Sequence, residues 1–166
     1  MEKIAIHDAN ILIDLVKTGL FSLCLALQYE FMTTHIILEE LYDPQVAIIR
    51  PHILSGKFLV IQISRDELQD IQQLASRHPK LSEQDCSAYY YAQQKNAILL
   101  SGDKNLKSVA EAEGITVRGI FWVIDELVRT AVVSKSDART FLSSLRTHNK
   151  WLPGNEFERR VREWGE

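Results

Sequence analysis

The sequence predicts an α/β fold: a mostly parallel central sheet flanked by helices, with a helical extension at its C-terminal end. Three observations carry this. Short apolar runs alternate with helix-patterned segments from residue 3 to residue 118, which calls for β-α-β crossovers and a parallel sheet covered on both faces. The run Ala97-Ile98-Leu99-Leu100-Ser101 is almost continuously apolar, the pattern of a strand buried on both sides. From Gly119 onward the pattern is helical throughout. The expected division is a core over residues 1–118 and a helical extension over 119–166 packed on that core.

Taken in order, Lys3-Ile4-Ala5-Ile6-His7 reads as a short buried strand, followed by Asp8, Asn10 and an apolar helix to about Gly19. A second helix is expected from Leu20 to about Gln28, then a strand at Phe31-Met32-Thr33-Thr34 and a helix through Ile36, Ile37 and Leu41. Asp43-Pro44 should end that helix, because the residue before proline is pushed away from helical geometry. A further helix spans about Pro44 to Leu54, with Pro51 as an expected kink or break. Phe58 to Ile63 is strand-like. Ser64 and Glu67 have the spacing of a capping box and open a helix to about Arg77. Ser82 starts the next helix, which reaches about Lys95. After the Ala97–Ser101 run, a helix covers Asp103 to Glu113 and stops at Gly114, and Ile115 to Arg118 is the last strand. The extension should hold a helical pair, Ile120 to Thr130 and Ser134 to Thr147, and a tail helix from about Asn155. Ser134 suits the N-cap of the second.

Composition excludes several classes. The two cysteines, Cys24 and Cys86, lie in no ligand spacing, and the five histidines share none, which argues against a structural zinc site or a disulfide scaffold. The N-terminus lacks the basic-then-apolar pattern of a targeting segment, and no apolar run reaches membrane-spanning length. The chain therefore reads as soluble and cytoplasmic, with no membrane partner. Net charge is -3, but unevenly placed: residues 1–128 carry 11 Lys and Arg against 17 Asp and Glu, whereas residues 129–166 carry 8 against 5.

Individual acids say more than the total. Ligands of open parallel sheets bind beyond the carboxyl ends of the strands. Asp8 follows the first strand, and Asp103 comes just after the Ala97–Ser101 strand. Asp85 shares a helical face with Ala88, Tyr89 and Ala92, and Glu40 lies three and four residues beyond Ile37 and Ile36. Singly, each has an ordinary reading: Asp8 and Asp103 as helix caps, Asp85 as half of a capping box with Ser82, Glu40 as a solvated neighbour of Glu39. Together, four carboxylates at one sheet edge repel one another unless a divalent cation lies between them. Oxygen ligands without Cys or His select a hard ion, Mg²⁺ or Mn²⁺.

These segments resemble the motifs of the PIN-domain family. Asp8-Ala9-Asn10 is similar to its opening Asp-Thr-Asn, and Leu38-Glu39-Glu40-Leu41 to the helix bearing its second acid. Leu81-Ser82-Glu83-Gln84-Asp85 is similar to its Leu-Ser-x-x-Asp, and Leu99-Leu100-Ser101-Gly102-Asp103 to its Leu-Leu-Thr-x-Asp. The chain departs from the pattern at Ala9 and Ser101, where the family commonly has Thr; Ser101 keeps the hydroxyl. The resemblance implies a PIN-like fold and a Mg- or Mn-dependent endoribonuclease. Its catalytic and metal-binding acids would be Asp8, Glu40, Asp85 and Asp103, with Asn10 and Ser101 in support. A looser similarity of the extension to bacterial toxin nucleases implies toxin–antitoxin pairing, with an antitoxin protein as partner and a homodimer as a further expectation. Candidate RNA contacts are Arg118, Arg129, Arg139, Arg146, Arg159, Arg160 and Arg162, with Tyr89, Tyr90, Tyr91 or Trp122 for stacking. Rival readings are a non-catalytic or partner-inhibited binding module, a phosphatase with an Asp nucleophile, and a receiver-like domain. The last two need paired acids after the first strand, where this chain has Asp8 and Asn10.

Overall fold

Each predicted strand is apolar and short, and the computed structural model, which describes residues 3–150 and 152–165, joins them into one sheet. β1 (Lys3–His7), β2 (Tyr29–Thr34), β3 (Phe58–Ile61), β4 (Ile98–Leu100) and β5 (Val117–Arg118) are all parallel, in the order β3-β2-β1-β4-β5. The chain winds outward from β1 to β3, then crosses back to the other side of β1 for β4. The order therefore reverses between β1 and β4, and in open α/β sheets the crevice beyond the carboxyl ends at such a reversal is where ligands bind.

The helices form two layers. α3 (His35–Leu38), α5 (Arg65–Arg77), α6 (Glu83–Gln94) and α7 (Lys104–Ala112) form one, with α6 lying against β1, β2 and β4. The other contains α1 (Ala9–Lys17), α2 (Phe21–Cys24), α4 (Asp43–Leu54), α8 (Ile120–Arg129) and α9 (Lys135–His148). α10 (Gly154–Glu163) packs on α9. One core runs through both layers and includes Phe21, Phe31, Phe58, Leu99, Val123, Leu142 and Phe157. Among the described residues no helix is long and apolar enough to cross a membrane.

Three elements differ from expectation. The helix expected over Leu20–Gln28 shrinks to Phe21–Cys24, because Tyr29 and Glu30 pair with Lys3 and Ile4 and the chain must first descend to the sheet. The helix before Glu40 stops at Leu38; Glu40 and Leu41 close tighter turns onto Ile37 and Leu38 at 3.0 and 3.2 Å. α4 starts at Asp43, with Pro44 in its first turn, where a missing N–H is tolerated. It also runs unbroken through Pro51. The carbonyl that Pro51 leaves without its usual helical partner belongs to Ala47, an exposed residue, so water can satisfy it.

Candidate active site

Strand ends and helix caps place the four acids. Asp8 follows β1 and caps α1, accepting from the Ile11 amide at 2.9 Å. Asp103 follows β4 and caps α7, accepting from the Leu106 amide at 2.9 Å. Asp85 lies in the first turn of α6, in a reciprocal capping box with Ser82 (both bonds 3.0 Å). Glu40 stands in the exposed turn after α3. The ordinary capping roles foreseen for Asp8, Asp85 and Asp103 are thus present. They do not use up these side chains: the second oxygens of Asp85 and Asp103 have no hydrogen-bond partner among the described residues.

Two hydroxyl networks draw the acids to one rim. Ser101, at the end of β4, donates to the second Asp8 oxygen, and the Asp103 amide donates to the Ser101 hydroxyl at 3.0 Å. One side chain thereby links the two acids across the strand reversal. On the other side, Thr34 caps α3 and bonds Ser87 of α6 at 2.9 Å. Because the Ser87 hydroxyl gives its proton to the Gln84 carbonyl at 2.7 Å, Thr34 is the donor. That bond ties the segment leading to Glu40 to the helix carrying Asp85. Thr33 adds a bond to the His7 carbonyl at 2.9 Å. Thr33, Thr34 and Ser87 were not among the predicted site residues. A Thr directly before a helix, and a small polar residue inside an apolar helical face, are the signals that point to them.

The electrostatics follow from this placement. Asp8 is 2 % exposed, and burial pushes its carboxyl up to about 7. The bonds from Ser101 and Ile11 oppose the shift, and the charges of Asp85 and Asp103 add to it. Glu40 is also raised, first by burial and then by Asp85. The acids therefore feel one another as a chain: Glu40 with Asp85, and Asp8 with Asp85 and Asp103. Among the described residues none of the four forms an ion pair, and no group of three or more His, Cys, Asp or Glu side chains is gathered closely enough to hold a metal ion. The rim is open: among the described residues Asp85 and Asp103 each keep one carboxylate oxygen without a hydrogen bond, and Glu40 keeps both. That donor set fits a hard divalent cation that retains part of its water.

Several expected contacts are absent. Asn10 is exposed and makes no hydrogen bond with Asp8, whose two oxygens are held by Ser101 and Ile11 instead. Most of the C-terminal arginines are engaged within the fold. Arg160 grips Asp125 with two bonds of 2.8 and 2.7 Å, reaches Glu156 at 2.8 Å and lies over the Phe121 ring at 4.6 Å. Arg129 pairs with Glu126, Arg159 with Glu156, and Arg146 sits over Phe157. Tyr89 and Tyr91 are buried, and Trp122 meets Tyr29 edge-on. His7 lies wholly buried among Phe21, Phe31 and Phe58, with its basicity lowered to about 4 by burial. It is a neutral core residue beneath Asp8.

A cavity of about 930 Å³ is lined by Lys3, Tyr29, Glu126 and Arg129, among others. It opens at the amino ends of β1 and β2, the end of the sheet away from the acids.

Comparison with known proteins adds two findings. A family model described as PIN domain matches residues 4–166. The chain is also similar to the crystal structure of PAE2754 from Pyrobaculum aerophilum, with a TM-score of 0.53 and 21% identity over 80% of this chain and 92% of that one. That likeness concerns the fold. No curated protein matches the sequence.

Proposed function

The chain belongs to the PIN-domain family, and from that premise we propose that it is a Mg²⁺- or Mn²⁺-dependent endoribonuclease acting at the rim of Asp8, Glu40, Asp85 and Asp103. The observation that carries the reading is the Asp8–Ser101–Asp103 link. It joins two strand-end acids at the reversal of the sheet, and neither acid forms an ion pair with a Lys or Arg among the described residues.

Asp8 and Asp103 would hold the ion directly, and Glu40 and Asp85 through water. When bound, the ion supplies an activated water and offsets charge growing on the phosphoryl oxygens. The chain's own residues set the geometry. Ser101 holds Asp8 and the start of α7 in register, and Ser82 fixes the rotamer of Asp85. Attack of water on phosphorus, in line with the departing 3′ oxygen, leaves a 3′-hydroxyl and a 5′-phosphate. Asn10, exposed beside Asp8, is available to the substrate.

Cleavage of single-stranded RNA by wild type, Asp8→Asn and Asp103→Asn tests the proposal. Each variant should lose activity by on the order of a hundredfold or more, and wild-type turnover by either one rules it out.

A second reading, a PIN module held by an antitoxin-like protein, is favoured by the outer face of α4. Pro44, Ala47, Ile48, Pro51 and Leu54 recur there at helical spacing and are all exposed, with Leu54 82 % exposed and nearby Tyr42 77 %. A stripe without charge suits the apolar face of a partner segment. If so, co-expression with the product of a neighbouring gene should yield a complex that Leu54→Glu disrupts while RNA cleavage by the free protein is kept.

A further inference from the structure

Half of the eight Lys and Arg residues of the C-terminal extension are committed within the fold, Arg129, Arg159 and Arg160 to ion pairs and Arg146 to the Phe157 ring, so cations elsewhere in the fold also bear on the grip of a nucleic acid. The carboxylate rim is flanked by a smaller cavity of about 280 Å³, set between the connector from α5 to α6 and the first two turns of α7. Its walls are the two segments that present the acids: the connector runs into Ser82 and Asp85, and α7 starts directly after Asp103. Arg77 and Lys80 stand at this cavity, both exposed, and neither takes part in an ion pair among the described residues. No acid lines it. Pro79 and Val109 give it apolar surface, and Asn105 and Ser108 add an amide and a hydroxyl.

This mixture is what a nucleotide presents in reverse. A phosphate takes unpaired cations, a sugar or base takes apolar surface, and a 2′-hydroxyl or base edge takes an amide or hydroxyl. We propose that the cavity is a flanking-nucleotide subsite: it receives the nucleotide next to the scissile phosphodiester of a single-stranded RNA, with Arg77 and Lys80 holding the neighbouring phosphate. The assignment rests on the nuclease reading of the adjoining acids. It also places a cationic patch beside an acidic rim, so the strand is anchored where the acids alone would repel it.

The test is binding of a labelled single-stranded RNA by fluorescence anisotropy, in chelator so that cleavage does not intervene. It compares wild type, Arg77→Ala/Lys80→Ala, and a charge-matched control, Lys57→Ala/Lys135→Ala, at two exposed lysines that do not line the cavity. The cavity variant should bind about tenfold or more weakly at low salt, with the slope of log affinity against log salt reduced by about 0.7, for the one phosphate that the two cations hold. The control should keep the wild-type slope. Equal losses in both variants, an unchanged slope in the cavity variant, or no binding by wild type at low salt would each overturn the subsite. Its failure is separable from that of the nuclease reading. Acid variants that still cleave refute the latter whatever the anisotropy shows, and acid-dependent cleavage with an unchanged slope refutes only the subsite.

Discussion

Ser101 shows how much one hydroxyl can organise. It donates to Asp8 and accepts from the Asp103 amide, so its removal loosens both acids without removing either. Ser101→Ala should lower cleavage about tenfold to a hundredfold, the usual effect of losing a group that orients a metal ligand, whereas Ser101→Thr keeps the hydroxyl and should stay near wild type. Steady-state cleavage assays of both variants check this, and full activity in Ser101→Ala refutes the orienting role. Asp8 sets a pH dependence of stability. Its carboxyl is raised from 3.8 in the unfolded chain to about 7 in the fold. Between those values the folded chain holds a proton that the unfolded chain has released. The contribution is therefore fully present in acid and is lost as pH rises through 7. In chelator, the melting temperature of wild type should fall relative to Asp8→Asn between pH 5 and pH 8. Parallel curves for the two proteins would refute the burial argument.

At the scale of elements, caps and clamps hold the site's supports in place. Ser82→Ala removes one half of the box at the start of α6 and should cost about 1 kcal/mol. Because Asp85 then loses its fixed rotamer, cleavage should fall as well. Urea titration and an activity assay measure the two effects separately. Arg160 joins α10 to α8 through Asp125 and by stacking on Phe121, and is braced within α10 by Glu156. Lysine cannot reproduce the planar fork, so Arg160→Lys should destabilise by about 1.5–3 kcal/mol. An unchanged unfolding midpoint would show the clamp to be dispensable.

For the whole molecule, the proposed function implies that metal binding at the rim would be coupled to folding. A cation that binds the folded chain alone stabilises it by about 2.7 kcal/mol at a hundred times its dissociation constant. For a domain of this size that corresponds to a rise of about 2–4 °C in melting temperature for each kcal/mol. Mn²⁺ should therefore raise the melting temperature of wild type by several degrees, and that of Asp8→Asn/Asp103→Asn by little. An equal rise in both proteins would place the ion elsewhere.

The α/β alternation, the buried strand at Ile98–Leu100 and the acids after β1 and β4 were legible in the sequence, because strand periodicity and strand-end position are local properties of the chain. So were the capping boxes at Ser64 and Ser82, whose partners lie three residues away. The true extent of α2, the turn that carries Glu40 and the unbroken course of α4 through Pro51 were not. Each depends on what the segment meets in space: Lys3 and Ile4 for the start of β2, solvent for the Ala47 carbonyl. The arginines make the same point, since a sequence shows a cation but not the carboxylate that has already claimed it. The sequence alone determined which acids exist and placed Asp8 after β1, Asp85 at the start of α6 and Asp103 after β4. Only the tertiary structure decided that β4 returns beside β1, because that pairing joins segments about ninety residues apart, and no local pattern encodes the contact of Ser101 with Asp8.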